Sequence, residues 1–136
     1  MDVTLALQKA VVAALRGDAA FDAAAEVWDR VPQGTAAPYV QIDYLTKAPW
    51  PARRLGWECS INLQVWSGEG GAAEALEIVA LVDAVLDVDH ATSGLTATGF
   101  EIVRLWNEYT DTAPRGEDGV TRGVPMRFRA WVQPAS

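Results

Sequence analysis

Apolar positions with helical spacing open the chain. Between residues 3 and 16, apolar side chains recur at intervals of three and four, which places them on one stripe of an α-helix. The stripe comprises Leu7, Ala10, Val11, Ala14 and Leu15. Asp2 is suited to cap the start of this helix, and Gly17 to end it. Asp18 is then expected to cap a short second helix around residues 21–25, before a turn at residues 31–34.

After this turn the period of the pattern changes from helical to two. Residues 39–45 are rich in β-branched and aromatic side chains, and residues 57–65 alternate strictly between apolar and polar side chains. Residues 100–109 and 124–132 predict two further strands. Helical spacing returns between them in residues 72–88, where the predicted face comprises Leu76, Val79, Ala80, Val82 and Leu86.

Two connections between paired strands are longer than a hairpin needs. Residues 46–56 join the first pair and residues 111–123 join the second, whereas most hairpin loops have about 2–5 residues. The element order predicts an α+β fold, with helices on one face of a largely antiparallel four-stranded sheet. We expect a single domain over residues 1–136. The other face of the sheet carries polar side chains and is expected to contact water or another subunit.

Composition narrows the class of protein. The 136 residues include 11 Lys and Arg against 18 Asp and Glu, a net charge of −7, and half of them are hydrophobic. Such a chain can fold around a core, and its acidity disfavours sequence-independent binding to nucleic acid or to an anionic membrane. The start lacks the pattern of a signal peptide, and the most apolar stretch, residues 78–86, is too short to span a bilayer. We therefore expect a protein of the cytoplasm, or of a particle assembled there, with no membrane contact.

The residue types that support catalysis are scarce. Cys59 and His90 are the only thiol and the only imidazole, and Cys59 occupies the apolar side of a strand, which favours a core role. Asp83, Asp87 and Asp89 cluster with His90, but their spacing does not match a calcium loop, so a solvated helix end is the better interpretation. The sequence thus predicts no enzyme, with no catalytic, cofactor or metal site.

Tryptophan and arginine indicate an interaction surface instead. Trp66, Trp106 and Trp131 are expected near the polar sheet face, either in a contact with a partner or packed under local loops. Trp50, in the first long connection, is the best candidate for an interface anchor. Basic residues on the two connections are candidates to set the register of a head-to-tail ring. They are Arg53, Arg54, Arg115 and Arg122.

Three segments carry a family resemblance. They resemble segments of the tail-terminator, or tail-completion, proteins of long-tailed bacteriophages and gene transfer agents. The first comprises residues 5–10, 31–34 and 38–42, the second residues 63–67 with the glycine-rich turn and helix after them, and the third residues 119–124 and 127–130. Members of that family are similar to the tail terminator of phage lambda. The resemblance covers nearly the whole chain and carries no catalytic signature.

The resemblance implies a structural role in a virion or gene transfer agent particle. It implies a homo-oligomeric ring, hexameric in the family, at the head-proximal end of the tail tube. The ring would stop polymerisation of the tube protein, offer a surface to the head connector or stopper protein, and let DNA pass through its lumen as cargo. Two alternatives stay open: another head-tail connector or tube ring protein, and a small cytoplasmic ligand-binding module.

Overall fold

The computed structural model describes residues 2–50, 55–68, 73–87, 95–112 and 122–135, with Arg122 described by its backbone alone. Helix α1 spans Val3–Gly17 and α2 spans Ala19–Ala24. Both predicted caps are confirmed: the carboxylate of Asp2 accepts a hydrogen bond from the backbone N–H of Thr4, and that of Asp18 from Phe21, each at 2.9 Å. These contacts satisfy N–H groups that a helix start leaves unpaired.

The strands form one five-stranded sheet within the described residues. They are β1 (Glu26–Trp28), β2 (Tyr39–Pro49), β3 (Trp57–Ser67), β4 (Phe100–Thr110) and β5 (Arg122–Pro134), in the spatial order β1-β2-β3-β5-β4. Helix α3 (Ala73–Leu86) follows β3. The order matches an α+β fold, and β2, β3, β5 and β4 pair antiparallel as predicted.

The expectation of four strands was wrong, because β1 is a fifth. It pairs parallel with β2, and Val27 lies opposite Val40. Three residues are too few to display an alternating pattern, and only Val27 among them is buried. Long-range pairing with β2, which local sequence does not encode, therefore defines this strand.

The connection between β2 and β3 is shorter than residues 46–56. Strand β2 continues to Pro49, which pairs with Trp57, so the connection begins at Trp50 and ends at Gly56. A proline fits there because β1 pairs only with residues 39–41, which leaves the end of β2 at the edge of the sheet. Arg122 was predicted on the second connection, but it is the first residue of β5, opposite Ser67.

The core lies between the three helices and one face of the sheet. Strands β3 and β5 provide its centre, through Cys59, Ile61, Leu63 and Val65 and through alternate residues of β5 from Val124 to Val132. The predicted α1 stripe is confirmed, since Leu7, Ala10, Val11 and Leu15 are buried and Ala14 is partly buried.

Part of the prediction for α3 was wrong. Its buried residues are Ala75, Ile78, Val79, Val82 and Leu86, whereas Leu76 is 42% exposed and Ala80 is also exposed. The helix is apolar on almost every side, so periodicity alone could not decide which side faces the core.

Candidate interaction surface

The sheet face that points away from the helices is called the outer face here, and it is built from three rows of paired residues. The first row crosses the sheet as Ala48, Glu58, Trp131 and Arg104. The second row is Thr46, Ser60, Arg129 and Trp106, and the third is Tyr44, Asn62, Arg127 and Tyr109. Because side chains alternate between faces along a strand, all twelve residues follow from the core register.

Three tryptophans and an arginine form a cluster: Trp131 and Arg104 of the first row, Trp106 of the second row, and Trp50, which follows the end of β2. The rings of Trp50 and Trp131 stack with centroids 5.1 Å apart, and Trp106 meets Trp131 edge-on at 5.4 Å. The guanidinium of Arg104 lies 4.4 Å from the Trp106 centroid and 5.4 Å from that of Trp131. The indole N–H of Trp131 is buried and has no acceptor in the described part of the chain. We call these four residues the tryptophan cluster.

Salt bridges connect three strands in the middle of the outer face. Arg129 donates two hydrogen bonds to the carboxylate of Glu108, at 2.6 and 2.8 Å, and lies 3.4 Å from Glu58. The hydrogen bonds from Arg129 hold the pKa of Glu108 below its usual range, and the same pairing raises the pKa of Arg129. The bidentate contact therefore joins the side chains of β5 and β4 across the outer face.

The third row is a polar floor between two exposed tyrosines. Asn62 is 8% exposed; its amide donates to the hydroxyl of Ser60 at 3.0 Å, and its side-chain oxygen accepts from Arg127 at 3.0 Å. Tyr44 on β2 and Tyr109 on β4 are 53% and 50% exposed on either side. A shallow groove therefore runs along the outer face, with hydrogen-bonding groups below and aromatic rings at its margins.

At the far end of the sheet, Trp66 lies against the backbone of β5. Its indole N–H donates to Gln41 at 3.2 Å, and its ring covers Gly123 on the neighbouring strand. A Cβ at position 123 would lie 2.9 Å from the Trp66 ring. Trp66, Trp106 and Trp131 therefore all lie on the polar sheet face, where a contact with a partner stays a prediction.

The predicted site residues fare unevenly. Trp50 was predicted as an exposed anchor in a loop, but its ring stacks on Trp131 of the sheet. Arg122 lies in β5 instead of the second connection. Arg53, Arg54 and Arg115 lie outside the described residues. The sequence pattern placed Arg127 and Arg129 on the polar face of the sheet, but it did not name them, or Arg104, as site residues. The strand register identifies them, because a residue that pairs directly with an aromatic residue of the outer face lies on that same face.

Residues that the sequence offered for catalysis or metal binding have structural roles where they are described. Cys59 is fully buried, and burial raises the pKa of its thiol to about 11, as expected of a core cysteine. Asp83 and Asp87 accept hydrogen bonds from the side chain and backbone of Asn107, at 2.7 and 2.9 Å. Asp89 and His90 lie outside the described residues. The described part of the chain holds no group of three or more His, Cys, Asp or Glu suited to a metal ion.

No described helix is both long and apolar enough to cross a membrane. The fold presents a helix-covered core on one side and, on the other, a face of aromatic rings and paired charges.

Comparisons with known proteins identify the family. The model of the family described as tail completion protein gp17 matches residues 9–133, so the chain belongs to that family. A solved structure described as the virion of a native gene transfer agent particle contains a similar chain, with 31% identity and a TM-score of 0.77. The similarity covers 96% of this chain and 97% of that one. No curated protein matches.

Membership of the family confirms the predicted resemblance and gives the chain a structural role in a phage-type tail. The role as a virion component agrees with the expectation from the sequence. A family of structural tail proteins implies a non-enzymatic function. The sequence likewise predicts a protein that is not an enzyme.

Proposed function

We propose that this chain is a tail terminator. It assembles as a ring of six copies on the head-proximal end of a tail tube, stops addition of further tube protein, and offers its free side to the head connector or stopper. The observation that carries the proposal is the match over nearly the full length of both chains to a component of an assembled gene transfer agent virion. A chain that resembles such a component along its length is suited to the same kind of place in a particle.

The charge of the chain supports a ring through which DNA passes. With a net charge of −7, the surface of a ring repels phosphate overall, so DNA slides through the lumen as cargo without being held. A binding role toward nucleic acid would call for a basic surface.

The arginines of the two long connections belong to the same proposal. In this proposal Arg53, Arg54 and Arg115, together with Trp50 and Arg122, meet acidic surfaces of neighbouring copies, of the tube or of the connector. Contacts between opposite charges at the margin of an interface act mainly on encounter and register.

The solution mass of the purified chain, followed by negative-stain images of the main species, tests the proposal. We expect a closed ring of about six copies, because a repeated head-to-tail contact that closes gives a cyclic oligomer. If the free chain is monomeric, we expect purified tail tubes to recruit it to one end and to stop elongating.

Two outcomes contradict the proposal. Open filaments formed by the chain alone indicate a tube protein, since a terminator stops at one ring. A monomer that tube ends do not recruit overturns the assembly role and favours the ligand-binding module.

A further inference from the structure

Helix α3 carries an apolar face that the described residues leave uncovered. Five of its outward residues are exposed, and only one of them is charged: Ala73, Leu76, Glu77, Ala80 and Ala84. The opposite side of the helix is buried in the core. A helix that is apolar on two opposite sides is usually packed against other residues on both of them. We therefore expect a second surface to cover the outward face of α3.

The charges of α3 indicate what covers it. Glu77 is the charged residue of the outward face, whereas Glu74 and Asp83 accept hydrogen bonds from Ser67 and Asn107 of the sheet. The helix has no lysine or arginine, and Asp87 follows its last turn. The carboxyl end of a helix already carries partial negative charge, to which Asp83 and Asp87 add. A surface that packs on α3 must therefore be apolar and must offer positive charge.

The outer face of the sheet has both properties. The tryptophan cluster supplies aromatic area, and Arg104 supplies a guanidinium group in the first row, whereas Arg127 and Arg129 are paired with Glu108. Tryptophan, tyrosine and arginine are the side chains most enriched at the energetic centres of interfaces.

The outer face is also large enough. Strands β2 and β3 have eleven residues each, which corresponds to about 36 Å, and four strands side by side span about 19 Å. The product is roughly 700 Å², which exceeds the footprint of α3, a helix about 21 Å long and about 10 Å across, so the whole helix fits on the outer face.

We infer that α3 of one copy packs on the outer face of the next copy, over the tryptophan cluster, and that repetition of this contact closes the ring. The inference rests on the proposed ring and names the two surfaces that build it. The two surfaces lie on opposite sides of the subunit, as a head-to-tail contact requires.

Contacts between like surfaces are less favourable. Two copies joined through α3 would place Glu77 and Asp87 of one near those of the other, and two outer faces would oppose Arg104 to itself. Pairing through the β4 edge of the sheet is disfavoured as well, because β4 carries register irregularities at Ile102/Arg104 and Asn107/Tyr109 that interrupt this edge.

Cysteine cross-linking of the assembled ring tests the inference. Ala80→Cys places a thiol on the outward face of α3, and Ala48→Cys places one in the first row of the outer face; both positions are exposed alanines. The native Cys59 stays silent because it is buried and the pKa of its thiol is about 11. With a short bis-maleimide, we expect the double variant to give a ladder of covalent oligomers that ends at the ring, and each single variant to give monomers.

The outcomes separate the inference from the proposed function. A ring of the double variant that yields no ladder overturns the contact between α3 and the outer face and leaves the ring standing. Dimers of the Ala80→Cys single variant indicate a symmetric α3 contact and also overturn it. A wild-type chain that forms no ring, alone or on tube ends, overturns the proposed function and the inference together.

A matched pair of leucines gives a second measurement within this test. Leu76 on α3 and Leu5 on α1 are 42% and 44% exposed, so either change to lysine leaves the core intact. We expect Leu76→Lys to raise the concentration for half-assembly by about tenfold or more, since it removes apolar contact and brings a cation toward Arg104. Leu5→Lys is expected to assemble as the wild type does; equal behaviour of the two variants contradicts the inference.

Discussion

Phe128→Ala is expected to lower the free energy of unfolding by about 3–5 kcal/mol. Phe128 is fully buried on β5, opposite Ile61 on β3 and Asn107 on β4, at the centre of the helix-covered face. Removal of the ring leaves a cavity that the paired strands cannot close, because their hydrogen bonds hold them apart. Domains are stable by roughly 5–15 kcal/mol, so urea unfolding at neutral pH should show a large shift of the midpoint with little change of slope.

Tyr44→Ala is the control for Phe128→Ala. It also removes an aromatic ring from a strand, but Tyr44 is 53% exposed on the outer face. We expect a change within about 1 kcal/mol, measured at concentrations where the chain is monomeric. If the two variants unfold at the same midpoint, the core is not centred on β5.

Gly123→Ala is expected to destabilise the fold by about 1–3 kcal/mol. The new Cβ would lie 2.9 Å from the Trp66 ring and 2.9 Å from Oε1 of Gln64, closer than atoms can pack. The Gln64 amide can rotate away, but the hydrogen bond to Gln41 holds the Trp66 indole in place. Thermal or urea unfolding measures the cost of the substitution.

Gly68→Ala is the matched control for Gly123→Ala, because Gly68 follows β3 at the same end of the sheet. Its Cβ would meet only the Cβ of Ala37, at 3.6 Å, an ordinary contact, so we expect a change within about 0.5 kcal/mol. In a Trp66→Leu background the cost of Gly123→Ala should fall, because the obstructing ring is gone. An unchanged cost in that background would attribute the effect to the backbone instead of the ring.

The sequence predicted a local structure correctly where all the residues that determine it lie in one short segment. Asp2 and Asp18 cap helices because a carboxylate can reach the N–H groups two or three residues ahead. The alternation from Trp57 to Val65 predicted a strand and its two faces, and Ser60 and Asn62 lie on the polar face. The prediction that this strand is half-buried was wrong, since Ser60 and Asn62 are only 5% and 8% exposed beneath the side chains of neighbouring strands. The family resemblance, carried by segments along the whole chain, is confirmed by the match over residues 9–133.

The candidate site was only partly accessible from the sequence. Trp50 was selected for its position between two prolines, but its stacking on Trp131 joins residues 81 positions apart in the chain. The pairing of Arg129 with Glu108 and Glu58 depends on the register of three strands at once. The loop arginines Arg53, Arg54 and Arg115 stay predictions, as does the ring itself.

The sequence by itself determined the helix caps, the alternating faces of β3 and β5, the acidic charge and the family, because each depends on near neighbours or on composition. Only the tertiary structure decided that residues 26–28 form a strand, that Leu76 faces outward and that three distant tryptophans meet. Strand order and register bring together residues far apart in the chain, and an apolar helix such as α3 fits its core in more than one rotation until the sheet selects one.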